Sequence, residues 1–239
     1  MKQWIVPAAA AALLTGCVST ATKTIDAQAL GGMRHQNVVQ TVHAKPSFGL
    51  LKPSNAAFGM LGAMDGIAEG SRIVADNKLA DPADAISAGL ASALRARDGV
   101  QILPQALRID DDDPARIAAR AKGKARYVLD VRTLVWQLMY FPTDWTHYQL
   151  LYTAKARLID VDAGTVVAEA FCKQQPESNA NAPTYDAMLA KRAALLKAKL
   201  AGAAEACTAS LGRDMLALQG PASAPPAAPV ASLAGAGRN

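Results

Sequence analysis

Arg126-Tyr127-Val128-Leu129-Asp130-Val131-Arg132-Thr133-Leu134-Val135-Trp136 is the stretch that decides the fold. Tyr127, Leu129, Val131, Thr133 and Val135 alternate there with Asp130 and Arg132. A period of two, carried by β-branched and aromatic residues, predicts a strand with one face on a core. A second alternating run, Tyr148 to Val161, puts Leu150, Tyr152, Ala154, Ala156 and Leu158 on one face and Thr153, Lys155 and Arg157 on the other. Asp162-Ala163-Gly164 makes a tight turn, and Thr165 to Lys173 returns as a third strand, so this pair is a hairpin.

Outward from this centre, residues 184–216 carry a helical stripe of Leu189, Leu196, Leu200, Ala204, Cys207 and Leu211. On the other side, Asp113-Pro114 opens a helix that Gly123 closes. Asp81-Pro82 opens another, with Ile86, Leu90 and Leu94 on one face and Asp98-Gly99 at its end. Val100 to Leu103 is a short apolar strand, Asn55 to Ala75 a helix-compatible run, and Val38–His43 and Phe48–Leu51 are extended segments around Pro46. The predicted fold class is α/β: a mixed sheet with a C-terminal three-strand meander, flanked by helices and closed by a long C-terminal helix.

The chain has 239 residues, 51% hydrophobic, 19% charged and 5% aromatic. These values exclude wholesale disorder, collagen-like repeats and multi-span membrane proteins, and they suit a single domain over 38–217. A net charge of +5 with pI 9.2 comes without any block of five basic residues, so no nucleic-acid partner is expected. Residues 218–239 contain Pro221, Pro225, Pro226 and Pro229 among small residues and read as a disordered tail.

The N-terminus sets the expected compartment. Lys2 precedes an apolar run from Trp4 to Leu14, too short to span a bilayer and suited to a secretory signal. Leu14-Thr15-Gly16-Cys17 then resembles the lipobox of bacterial lipoproteins. The resemblance implies removal of residues 1–16, acylation of Cys17 (the covalent lipid being the only group the chain is expected to carry) and attachment to a membrane. Residues 17–37 are expected to be a lipidated tether. Val18 and Ser19, with no aspartate after the cysteine, favour the outer membrane, facing the periplasm. Cys172 and Cys207 remain for an oxidising compartment. Their expected disulfide closes a 35-residue loop; two buried thiols are the alternative.

Residues 118–132 (A-x-x-A-K-G-K-A-R-Y-V-L-D-V-R) and 158–167 (L-I-D-V-D-A-G-T-V-V) together resemble the small α/β domain of curli-secretion lipoproteins. The same domain occurs in outer-membrane activators of peptidoglycan synthases and in the N-terminal domain of TolB. The resemblance spans residues 80–212 and implies a non-enzymatic protein that binds other envelope proteins or assembles into rings. The chain departs from it in a glycine-spaced helix before Asp81 and in a long hairpin loop at 137–147.

Six of the twelve aromatic residues fall within 136–152: Trp136, Tyr140, Phe141, Trp145, Tyr148 and Tyr152. Aromatics on a loop suit partner contact; a loop folded over the core is the competing explanation. The partner-binding set is therefore Trp136, Tyr140, Phe141, Trp145 and Tyr148. Gly62, Gly66 and Gly70 line one helical face and permit close backbone packing, within the chain or between copies. Catalytic motifs such as G-x-S-x-G and H-E-x-x-H are missing, and His35, His43 and His147 are too scattered for a metal site. Asp144 and His147 are close enough to pair but read as a solvated loop, while Asp110 to Asp113 favours the helix start that follows. The expected function is a lipid-anchored, non-enzymatic periplasmic adaptor or assembly factor that binds another envelope component, with homo-oligomers left open. Small-ligand or glycan binding is the alternative.

Overall fold

The computed structural model describes residues 22–176 and 178–218. The signal segment, Cys17 and residues 219–239 of the tail lie outside the described residues. The sheet is built on β5 (Tyr127–Phe141), which pairs antiparallel with β6 (Asp144–Asp160), itself antiparallel to β7 (Thr165–Gln174). On the other edge of β5 lie two short parallel strands, end to end. β1 (Asn37–His43) pairs Val38 with Tyr127, and β2 (Gly49–Leu51) pairs Leu50 with Leu138. β3 (Gln101–Ile102) and β4 (Leu107–Ile109) run parallel to β1 on its far side. The α/β class, the mixed sheet and the meander stand as the alternation predicts.

Helices pack on both faces. The larger core lies beneath α1 (Ala27–Met33), α3 (Gly59–Asn77), α4 (Pro82–Asp98) and α6 (Tyr185–Leu216). The one-turn α2 (Pro53–Ala56) leads into α3, and α5 (Pro114–Ala121) covers a smaller cluster of Val39, Ile109, Ile117, Val128 and Ile159 on the opposite face. Asp81 caps α4 by accepting from the Ala83 N–H, and the same carboxylate accepts from the Thr133 hydroxyl in β5, so one residue fixes both the helix start and its place on the sheet. Cys172 of β7 and Cys207 of α6 are joined by a disulfide with their Cα atoms 5.4 Å apart.

Four expectations are corrected by the structure. The tether does not reach residue 37. Lys23 forms a β-bridge with Glu169, Ile25 donates to the Met215 carbonyl, Asp26 caps α1, and Met33 is fully buried. Few apolar residues punctuate this segment, so no periodicity announces it. The hairpin loop at 137–147 is also not a loop: β5 and β6 continue to a turn at Pro142-Thr143, and the aromatics sit on strands.

A bulge between Thr133 and Val135 reverses the alternation in β5. Tyr127, Leu129 and Val131 face the larger core, but beyond the bulge Trp136 and Leu138 do so and Val135 turns outward. A further irregularity, at Leu158/Ile159, puts Val167 against the larger core and Val166 against the smaller cluster. Finally, the closing helix is interrupted. Ala190 to Ala193 leave helical geometry, with Lys191, Arg192 and Ala193 at positive φ, and the helix resumes through Leu216.

Candidate functional site

The Gly62-Gly66-Gly70 face of α3 is buried against the chain's own backbone. A methyl group at Gly62 would overlap the Asn55 carbonyl, at Gly66 the Leu50 carbonyl, and at Gly70 the Phe48 carbonyl. The close approach is therefore intramolecular, between α3 and the segment from β2 to α2. Asn55 completes the corner: its side-chain oxygen accepts from the Lys52 N–H.

This packing inverts the usual helix. Along the first half of α3, with glycine on the buried side, the bulky apolar residues point outward; nearer its end Ile73 is buried in the core. Phe58, Met60, Leu61 and Met64 are between 64% and 81% exposed, and Ile67 is 45% exposed. Four large apolar side chains in one helical stretch are rarely left to water without a partner. Beside this ridge lies a hollow of about 330 Å³, mostly apolar, lined by Leu50, Leu51, Ile67 and Val135 together with Ser47 and Gln137. Ile67 belongs to both ridge and hollow, so the apolar surface is continuous. In the sequence these side chains are marked only by a helix whose period of large residues, Met60, Leu61, Met64 and Ile67, opposes its period of glycines.

A polar cluster holds α3 to the rest of the molecule. Lys52 pairs with Glu69 at 2.6 Å and lies over the Tyr185 ring, and the Tyr185 hydroxyl donates to Glu69 at 2.9 Å. Burial would raise the Glu69 carboxyl, but the Lys52 ammonium and the Tyr185 hydroxyl outweigh it and bring it below its ordinary value. Tyr185 packs on Tyr148, with ring centroids 5.3 Å apart.

The aromatic partner-binding set divides. Trp136 is 2% exposed, edge-on to Phe48, and its indole donates to the Pro46 carbonyl at 2.8 Å. Phe141 and Tyr148 are also buried. These three are core residues, placed inward by the extended hairpin and the bulge. Trp145, 66% exposed, stays at the surface with Tyr140 edge-on beside it. At the same tip, Asp144 accepts from the Thr146 N–H and hydroxyl, His147 and Asn179, and these donors hold its carboxyl well below the usual range, the Thr146 hydroxyl first. Asp144 and His147 do meet, as part of a turn.

The second face of the sheet, where the alternation places Asp130, Arg132, Lys155 and Arg157, carries a buried ion network. Asp130, 1% exposed, accepts from Thr41 at 2.7 Å and from Arg157 at 2.7 and 2.9 Å, and lies 2.5 Å from His43 Nε2. Asp112 pairs with Arg132, Lys155 and Arg157 at 2.8–3.0 Å. The face is polar as predicted, but the chain before α5 lies across it and takes it out of water. Burial would raise the Asp130 carboxyl; the His43 hydrogen bond and the Arg157 charge prevail and bring it to about 2. A carboxylate at about 2 is a poor proton acceptor near neutrality, so this cluster is suited to holding the sheet to the loop rather than to acid–base chemistry. Among the described residues, no group of three or more His, Cys, Asp or Glu is placed to hold a metal ion, and no helix is long and apolar enough to cross a membrane.

No family model matches the chain, and no curated protein matches it. Solved structures similar to it include the PelC dodecamer from Paraburkholderia phytofirmans, at 16% identity over 77% of this chain and 91% of that one, with a TM-score of 0.32. They also include the hypothetical protein CT253 from Chlamydia trachomatis, at 11% identity over 76% and 98%, with a TM-score of 0.36. Lipoprotein GNA1162 from Neisseria meningitidis is similar at 14% identity over 70% and 98%, with a TM-score of 0.31.

Proposed function

We propose that the protein is a non-enzymatic, lipid-anchored component of the cell envelope that works by docking the outer face of α3 onto another protein surface. The observation that carries this proposal is the inverted helix: glycines packed inward, and Phe58, Met60, Leu61, Met64 and Ile67 facing out beside an apolar hollow. Interfaces concentrate large apolar and methionine side chains at their centre, and the flexible thioethers of Met60 and Met64 adapt to a partner's shape. The partner-binding role assigned to the hairpin aromatics thus passes to α3, with Trp145 and Tyr140 as a smaller second patch. The anchor rests on the signal and lipobox pattern ending at Cys17, and the disulfide fits an oxidising compartment.

A photo-crosslinking residue placed at Met64 in intact cells should yield protein adducts, and one placed at exposed Ala119 on α5 should not. Equal labelling at the two positions, or none at Met64, contradicts the docking assignment.

A further inference from the structure

We propose that the partner of the α3 face is a second copy of this chain, packed about a two-fold axis; this rests on the docking role argued above and specifies its occupant. A two-fold contact requires one patch that complements itself, a ridge and a hollow side by side on the same surface. The α3 face has both. Met60, Leu61 and Met64 form the ridge, and Ala63, Ile67, Leu134 and Val135 line the hollow next to it. Turning one copy over the other places each ridge against the opposite hollow, so both features are used twice.

The area is of the right size. At about 200 Å² for a large apolar side chain, the exposed parts of Phe58, Met60, Leu61, Met64 and Ile67 come to roughly 650 Å². A stable interface removes about 800 Å² from each partner, which this ridge nearly supplies before the hollow and the rim are added.

The charges on α3 favour a protein copy over a lipid surface. Asp65 and Asp76 on the exposed part of the helix are offset by Arg72 and by Lys78 at its C-terminal cap, and the Glu69 charge is matched by Lys52. Such a balanced rim does not repel a copy of itself, and it lacks the lysine and arginine excess by which amphipathic helices bind anionic bilayers. Two chains anchored in one leaflet also meet at high effective concentration, so a contact of modest intrinsic strength forms on the membrane.

The test uses the full-length, acylated protein in detergent, followed by sedimentation equilibrium over a range of concentrations. The wild type should sediment with twice the mass of one chain. The double variant Met60→Glu with Met64→Glu should weaken self-association about a hundredfold or more, with its thermal melt unchanged because both side chains are already exposed. If the wild type remains single at tens of micromolar while the Met64 crosslinker in cells captures a different protein, the second-copy assignment is overturned and the docking role stands. If the crosslinker captures lipid alone, or nothing, both fall.

Discussion

Asp130 and the two tryptophans of the hairpin give the sharpest tests at the scale of single residues. The folded-state Asp130 carboxyl lies at about 2, below the ordinary aspartate value of about 3.9 in an unfolded chain. Its stabilising contribution, about 2 kcal/mol, is therefore complete above about pH 4 and is lost as the pH falls through about 2. Asp130→Asn leaves Arg157 and His43 facing a neutral amide and should cost about 3 kcal/mol in urea unfolding at neutral pH. The same variant should lose part of the acid-induced fall in stability between about pH 4 and pH 2. Unchanged stability and an unchanged acid limb would contradict the network. Trp136→Ala should lower folding stability by about 3–5 kcal/mol, because its ring is enclosed by Phe48 and its N–H is paired. Trp145→Ala should shift it by no more than about 0.5 kcal/mol. Equal thermal melts for the two variants would refute the division of the aromatic set.

Among the elements, α3 reverses an ordinary propensity argument. In an open helix alanine is preferred to glycine by about 1 kcal/mol, yet Gly66→Ala should destabilise this protein by about 2 kcal/mol because its methyl meets the Leu50 carbonyl. A stabilised Gly66→Ala variant would show that α3 does not sit on β2. The disulfide between β7 and α6 closes a 35-residue separation, and Cys172→Ala with Cys207→Ala should lower stability by about 4 kcal/mol in the chain-entropy estimate. An equal urea midpoint with and without the bridge would contradict that constraint.

The elements also show what was legible in the sequence. The meander, α4 and α5 were, because period-two runs and Asp-Pro starts are local signals. The α6 stripe was legible too, and with it the helix that brings Cys207 over the sheet. The bulge at Thr133/Val135 was not: one extra residue in β5 is set by pairing with β6 and leaves no local mark, yet it decides that Trp136 is core. Burial of Asp130 was equally hidden. It depends on Arg157 standing opposite in β6 and on the 110–112 segment crossing the face, neither of which a single strand reveals.

On the scale of the whole molecule, the proposed anchor and the proposed docking face combine. Were Cys17 acylated as proposed, the pairing of Lys23 with Glu169 would keep the β7 edge within about 20 Å of the membrane surface, the greatest reach of six residues. Metabolic labelling with a palmitate analogue should mark the wild type and leave Cys17→Ala unmarked; an unmarked wild type would remove the anchor. The docking face is tested most directly by methionine oxidation in living cells, read by mass spectrometry after a brief peroxide pulse. Met60 and Met64 are exposed in the single chain, whereas Met33, Met188 and Met215 are fully buried and serve as protected references. Met60 and Met64 should be protected in the intact envelope nearly as well as those references, and should become oxidised once the protein is purified and diluted. Oxidation in the cell as fast as in the diluted protein would mean that nothing covers α3.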